Sequence, residues 1–365
     1  GQGDMALEVR GSMDGSEPDS VVEVMRQQWA SMLSMGGMFV GTILLGLSIQ
    51  PVYDFDEVRA FGAEGASKGG YVALELLFIM IFTVLIIWLA RKGLDFVIKA
   101  IVMIALWFSL FYAIQPYSGL FLWVLGFEPG NFYLGSAVVI STGLMILLHM
   151  YPEWYVVNTV GILVGAGVIT IIGVSFVPVL IIAFMLAAAV YDHWAVNSSK
   201  HMLELADTMI KNKLPVLLVA PKERGYSFIE EDDQVMRSET PDDMDWDDPA
   251  PHIKPESGGR DALFMGLGDV IFPGMLVISS VSFLPEWGPE IPTIWGIHVH
   301  AGPLAVGLGT LFGGLCGYVA LMAQVARGEA QAGLPLLNGG SILGYLISGV
   351  IALGPAALWQ DISFL

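Results

Sequence analysis

Two aspartates occupy positions in this sequence that are hard to explain without chemistry. Asp192 closes the run Ala187-Ala188-Ala189-Val190-Tyr191-Asp192, and Asp269 closes Phe264-Met265-Gly266-Leu267-Gly268-Asp269. Both lie inside apolar stretches long enough to cross a bilayer, where an ionisable group is costly and counts as a functional candidate until a cheaper explanation removes it. Two carboxylates placed close together cannot both ionise, so one holds a proton near neutral pH. The charged partner can act as a general base toward water. The protonated partner can donate to a carbonyl oxygen and later to the departing nitrogen. Amide hydrolysis needs both roles and no metal. The same pair would also suit a structural carboxylate contact, or a proton- or cation-coupled transporter or cation leak channel, and spacing alone leaves these readings open.

The elements that must carry the two aspartates follow from composition. The chain has 365 residues, 55% of them hydrophobic and 14% charged, with a mean hydropathy of +0.67. A soluble protein of this size carries about 25% charged residues, so much of this surface must face lipid. The expected fold class is an all-α polytopic membrane protein with nine transmembrane helices, at residues 29–49, 71–90, 94–114, 132–151, 155–172, 176–196, 262–284, 301–324 and 336–359. Each approaches the roughly 20 apolar residues that a crossing takes. Helices are expected because backbone groups in lipid must be satisfied within the segment. The fifth and sixth spans form one apolar block, which a break at 173–175 divides, with Pro178 in the next helix's first turn.

Residues 1–12 read as a cloning remnant, with Met13 a natural start, and 13–28 as a cytoplasmic tail. Spans one to six then fill 29–196, a soluble loop 197–261, and spans seven to nine 262–365. No signal peptide is expected, because 13–28 is acidic and polar. Of the 16 basic residues only Arg59 and Lys68 fall on the odd-numbered connections, which places the N-terminus and the large loop in the cytoplasm and the C-terminus outside. The loop should begin with an amphipathic helix capped by Ser198 or Ser199, continue through an apolar patch at 214–220, and become disordered over 222–261, where acids outnumber bases 13 to 5. The net charge of −19 therefore resides largely in exposed segments, and with no basic footprint a nucleic-acid partner is not expected.

Other candidates have simpler explanations. Glu75, Lys99 and His149 lie near span ends and can reach headgroups. His298 and His300 offer two metal ligands without a third nearby. The single cysteine, Cys316, excludes a disulfide framework. No metal or cofactor is called for. His193 precedes tryptophan rather than completing a His-Glu-x-x-His, and neither Gly135-Ser136 nor Gly340-Ser341 has the pattern of a serine protease.

From the depth of each aspartate in its predicted span, about 6 Å for Asp192 and about 10 Å for Asp269, the two can meet if their helices face each other. Gly266 and Gly268 let a neighbouring backbone approach Asp269, and Pro273 removes a helix hydrogen bond one turn later. Tyr191-Asp192 on the sixth span and Gly266-Leu267-Gly268-Asp269 on the seventh resemble the intramembrane aspartyl proteases of the presenilin and signal peptide peptidase family. A Pro-Ala-Leu motif opens that family's ninth span. Here Pro335-Leu336-Leu337 stands at that place, with Leu336 where the family has alanine.

The resemblance covers nearly the whole chain. Its orientation and compact size are most similar to an archaeal presenilin homologue. It implies catalysis by Asp192 and Asp269, support from Tyr191, Gly266, Leu267, Gly268, Pro335, Leu336 and Leu337, and substrates that are transmembrane helices in the lipid bilayer. It also implies nicking of the chain's own 214–220 patch. A substrate helix would have to unwind and could add as a strand near Gly266 or Pro335. A homo-oligomer is a further candidate partner.

Overall fold

A computed structural model describes residues 25–59, 92–127, 131–198, 217–222, 226–227, 262–326, 333–360 and 362, and within 60–91 residues 68, 70, 71, 73, 74, 77, 78, 81, 82, 85, 88 and 89. Its helices are α1 (Trp29–Tyr53), α2 (Asp95–Val124), α3 (Asn131–Met150), α4 (Trp154–Gly173), α5 (Pro178–Ser198), α6 (Leu267–Phe283), α7 (Ala301–Val325) and α8 (Gly333–Ala352). Of these, α1–α4, α7 and α8 are long and apolar enough to cross a membrane, while Pro178–Val190 of α5 and Leu267–Phe283 of α6 are shorter apolar helices. The described residues between 70 and 89 are helical, where the second span was expected. The amphipathic helix expected after Ser198 and the acidic stretch beyond 227 lie outside the described residues.

Two helices run past their expected span ends and absorb polar residues. α1 runs on through Gln50, whose Nε2 donates to Asp54 Oδ2 at 2.7 Å and to Ser282 Oγ at 2.9 Å. α2 runs ten residues past the expected end at 114. Its Gln115 accepts from Tyr53 Oη at 3.1 Å and donates to Tyr133 Oη. The Gln50 amide nitrogen and both ends of the Gln115 amide find partners, so the helix need not stop at either residue. The break between α4 and α5 spans residues 174–177, and Pro178 is the first residue of α5. The ninth span is shorter than expected. It ends at Ala352, Gly354 takes a φ of +85°, and a 3-10 turn follows over Pro355–Leu358.

The fold departs from an all-helical reading in two places. Strand β1 (Leu217–Pro221) pairs antiparallel with β2 (Ala262–Gly266) in the register Leu217↔Gly266 and Val219↔Phe264. Strands β3 (Glu290–Pro292) and β4 (His298–His300) form a hairpin between α6 and α7. That hairpin is tied to α1 by Trp295 Nε1, which donates to the Ser48 carbonyl at 2.5 Å. Short apolar runs such as 217–220 and 262–265 cannot be assigned to helix or strand from periodicity. Only the pairing of two segments separated by the long loop decides it.

β1, within the loop, enters the core. Leu218, Val219 and Ala220 are fully buried against α1 and α4. Asn158 of α4 grips the outer edge of β1. Its Nδ2 donates to the Val219 carbonyl at 2.7 Å, and its Oδ1 accepts from the Val219 amide at 2.8 Å. Ser31 Oγ of α1 donates to the Pro221 carbonyl at 2.8 Å. From Leu217 onward, then, the patch expected to be nicked is a strand held on both edges.

α4 and α6 are the inner helices: α4 packs on α1, α2, α3, α6 and β1, and α6 on α1, α4, α5, α7 and α8. Among the described helices, α7 and α8 pack together most extensively. A side chain at Gly313 would collide with the Gly340 carbonyl. One at Gly317 would collide with the Leu336 carbonyl and come within 3.2 Å of Leu337 Cα. Such backbone-to-backbone packing is what small residues permit in membranes, where lipid supplies little hydrophobic drive between helices. Its consequence is that the first turns of α8 are fixed by α7.

Candidate active site

The strand-to-helix switch positions Asp269. Gly266 ends β2 with extended φ and ψ of −61° and 137° and also caps α6, so Asp269 falls in that helix's first turn. Asp269 was expected some seven residues inside a span, but residues 262–266 belong to the sheet instead. Gly-Leu-Gly is a poor helical sequence, which suits a handover from strand to helix. Pro273 lies within α6 and has no N–H to give the Asp269 carbonyl. Leu267 is buried, and its side chain packs toward Gly165 of α4, where an added Cβ would lie 3.1 Å from Leu267 Cδ1. Gly268 is exposed, with open space around it.

Asp192 comes from α5, six residues before that helix ends. It is 4% exposed, whereas Asp269 is half-buried. α5 and α6 pack together, and the two carboxylates are near enough for their charges to interact. The structure thus brings together the two aspartates that the sequence singled out. Tyr191 lies beside Asp192 on α5, its side chain outside the described residues.

α8 closes the site against both helices. Pro335 and Leu336 lie half-buried in its first turn, and Leu337 is wholly buried. Two further residues of the first two turns of α8 were not predicted. Gly333 has no side chain where a Cβ would stand 3.0 Å from Asp269 Oδ2 and 3.3 Å from its Cγ. Asn338, 1% exposed, donates through Nδ2 to the Met185 carbonyl of α5 at 3.0 Å. Met185 precedes Asp192 by two helical turns on the same face, so this bond holds the Asp192 helix against α8. A polar residue in a glycine-rich apolar span was the available signal for Asn338. Gly333 had none.

The remaining candidates lie elsewhere. His298 and His300 sit in the β3–β4 hairpin, His300 Nε2 being 3.5 Å from Glu286 Oε2. Among the described residues no group of three or more His, Cys, Asp or Glu side chains could hold a metal ion. Beyond the last turn of α1, Asp54 and Arg59 form a 3.2 Å ion pair, and the Arg59 guanidinium lies 4.7 Å from the centre of the Phe283 ring. Burial pushes the Asp54 carboxyl above its usual range, with Arg59 opposing that shift. This cluster belongs to the opposite end of α6 from Asp269.

A bundle of apolar helices with an aspartate on each of two packed helices defines a class: polytopic membrane proteins with an acidic centre. The comparisons narrow it. Residues 28–354 match the family described as signal-peptide peptidase, presenilin aspartyl protease, and the chain belongs to that family. It is a multi-pass integral membrane protein of an intramembrane aspartyl protease family, whose substrates are membrane helices in the lipid bilayer. Two solved structures of a presenilin family intramembrane aspartate protease resemble it. One, in a P2 crystal form, is 26% identical with a TM-score of 0.55, covering 88% of this chain and 98% of the other. The other, in a C222 form, shares the fold at 24% identity and a TM-score of 0.54, covering 89% of this chain and 99% of that one. No curated protein matches the chain.

Proposed function

We propose that Asp192 and Asp269 are the catalytic pair of an aspartic endopeptidase of the Gly-x-Gly-Asp type that hydrolyses peptide bonds of transmembrane helices inside the bilayer. What supports this reading is that Asp192 and Asp269 stand on packed helices, α5 and α6, near enough for their charges to interact, with Asp269 beside Gly333 at the start of α8. In the reaction, one carboxylate is ionised and the other protonated. The ionised one takes a proton from a water molecule as its oxygen attacks the substrate carbonyl carbon, and the protonated one gives its proton to the carbonyl oxygen. The tetrahedral intermediate then collapses, the C–N bond breaks, and the first carboxyl delivers its proton to the leaving nitrogen. Return of a proton from the intermediate's hydroxyl restores the pair. No metal or cofactor enters any step.

The nine-helix arrangement with a cytoplasmic N-terminus and large loop places this centre on the cytoplasmic half of the membrane. A substrate helix must unwind to expose an amide, and its extended backbone can add to an existing sheet. Asn158 already occupies the outer edge of β1 at Val219, which directs a substrate strand to the β2 side, beside Gly266. Tyr191, Leu267, Gly268 and the Pro335-Leu336-Leu337 turn shape the surroundings of the pair.

The alternative of a proton- or cation-coupled transporter, or a cation leak channel, finds no support in the comparisons. The deciding experiment reconstitutes the purified chain with a transmembrane model peptide, with and without an aspartyl transition-state analogue, while following ion flux in the same vesicles. Analogue-sensitive appearance of two complementary fragments is the expected result. An intact peptide together with analogue-insensitive flux would overturn the assignment in favour of transport.

A further inference from the structure

We infer that Gly333 is a positioning residue for Asp269, and that the missing side chain in the first turn of α8 leaves the carboxylate its working orientation. This rests on the catalytic reading of Asp269. The Asp269 carboxylate lies between two positions without side chains. A Cβ at Gly266 would sit 3.6 Å from Oδ2, an ordinary contact, whereas one at Gly333 would sit 3.0 Å from Oδ2, 3.3 Å from Cγ and 3.4 Å from Oδ1. The Gly333 position therefore faces the whole carboxylate rather than one edge of it.

The constraint is one-sided because α8 cannot retreat. Its first turns are pinned by the Leu336 carbonyl against Gly317 and by Asn338 against Met185. Leu337, wholly buried, packs in the same core. A methyl group at 333 must consequently be accommodated by Asp269, whose carboxylate would turn or shift by a few tenths of an ångström. A misplacement of about 1 Å at a reacting group costs about 100-fold in rate. The smaller shift should cost about 10-fold in kcat. KM is expected to stay nearly constant.

Gly339 supplies a matched comparison. It lies on the same helix, and a Cβ there meets nothing within 4 Å. The test measures kcat, KM and the pH–rate profile of the full chain on a transmembrane model peptide for Gly333→Ala, Gly333→Val, Gly339→Ala and Asp269→Asn, with the thermal midpoint of each. The expected outcome is normal kinetics for Gly339→Ala and a kcat reduced about 10-fold for Gly333→Ala. KM and thermal midpoint should be unchanged in Gly333→Ala and its pH–rate profile displaced, with a larger kcat loss in Gly333→Val. If Gly333→Ala retains the wild-type kcat and pH profile while Asp269→Asn is inactive, the inference fails and the catalytic pair stands. If Asp269→Asn itself cleaves normally, the proposed function fails, and this inference with it. A Gly333→Ala loss that appears in KM or the thermal midpoint, with an undisplaced pH profile, assigns Gly333 to packing and also overturns the inference.

Discussion

Asp192→Asn and Asp269→Asn are each expected to reduce cleavage of a transmembrane substrate by about 1,000-fold or more, with substrate binding retained. A positioned acid or base contributes about 100- to 10,000-fold. Here each carboxyl serves in both capacities during one turnover, so the loss should sit at the upper end of that range. Asparagine preserves size and hydrogen-bonding capacity but can neither take nor give the proton. The double substitution should cost little more than either single one, because half a pair performs neither half of the reaction. The check is a single-turnover rate on a model helix, with binding read separately by crosslinking. Multiplicative losses in the double variant would indicate two independent carboxylates rather than a working pair.

Gly313→Leu carries the second-largest expectation. Gly313 faces the Gly340 carbonyl and the Gly344 backbone, one of the close approaches between α7 and α8. Extra atoms in a well-packed interior typically cost about 1–3 kcal/mol. At Gly313 the obstacle is rigid backbone on both sides, so the cost should reach or exceed the top of that range. Separation of α7 from α8 also frees the turn that carries Gly333, Pro335 and Leu336, and activity should fall more than stability alone would require. Thermal unfolding in detergent, paired with a cleavage assay well below the melting midpoint, separates the two effects. A normal midpoint and rate in the Gly313→Leu chain would mean that α7 does not fix the position of α8.

The parts legible in the sequence share a physical origin. Hydropathy located α1–α4, α7 and α8 because a membrane imposes a length and an apolar composition on whatever crosses it. The two aspartates stood out because lipid makes carboxylates expensive. What the sequence did not reveal depends on contacts between distant segments. Residues 262–265 read as the start of a span, and they become a strand only because Leu217–Pro221, across the long loop, supplies a partner. The third span, expected to end at 114, continues because Gln115 finds partners in Tyr53 and Tyr133 on other elements. Gly333 could not be recognised at all, since its role is the absence of atoms beside a residue that lies more than sixty positions away.

One measurement tests the central claim most directly: mass spectrometry of a transmembrane model peptide incubated with the purified chain in water enriched in oxygen-18. Hydrolysis by a water molecule held between Asp192 and Asp269 predicts two complementary fragments, with a break inside the hydrophobic segment and one heavy oxygen in the new carboxyl terminus. Neither fragment should form with the Asp192→Asn or Asp269→Asn chain. The same fragments from either asparagine variant at the wild-type rate, or an intact peptide with the wild-type chain, would contradict it.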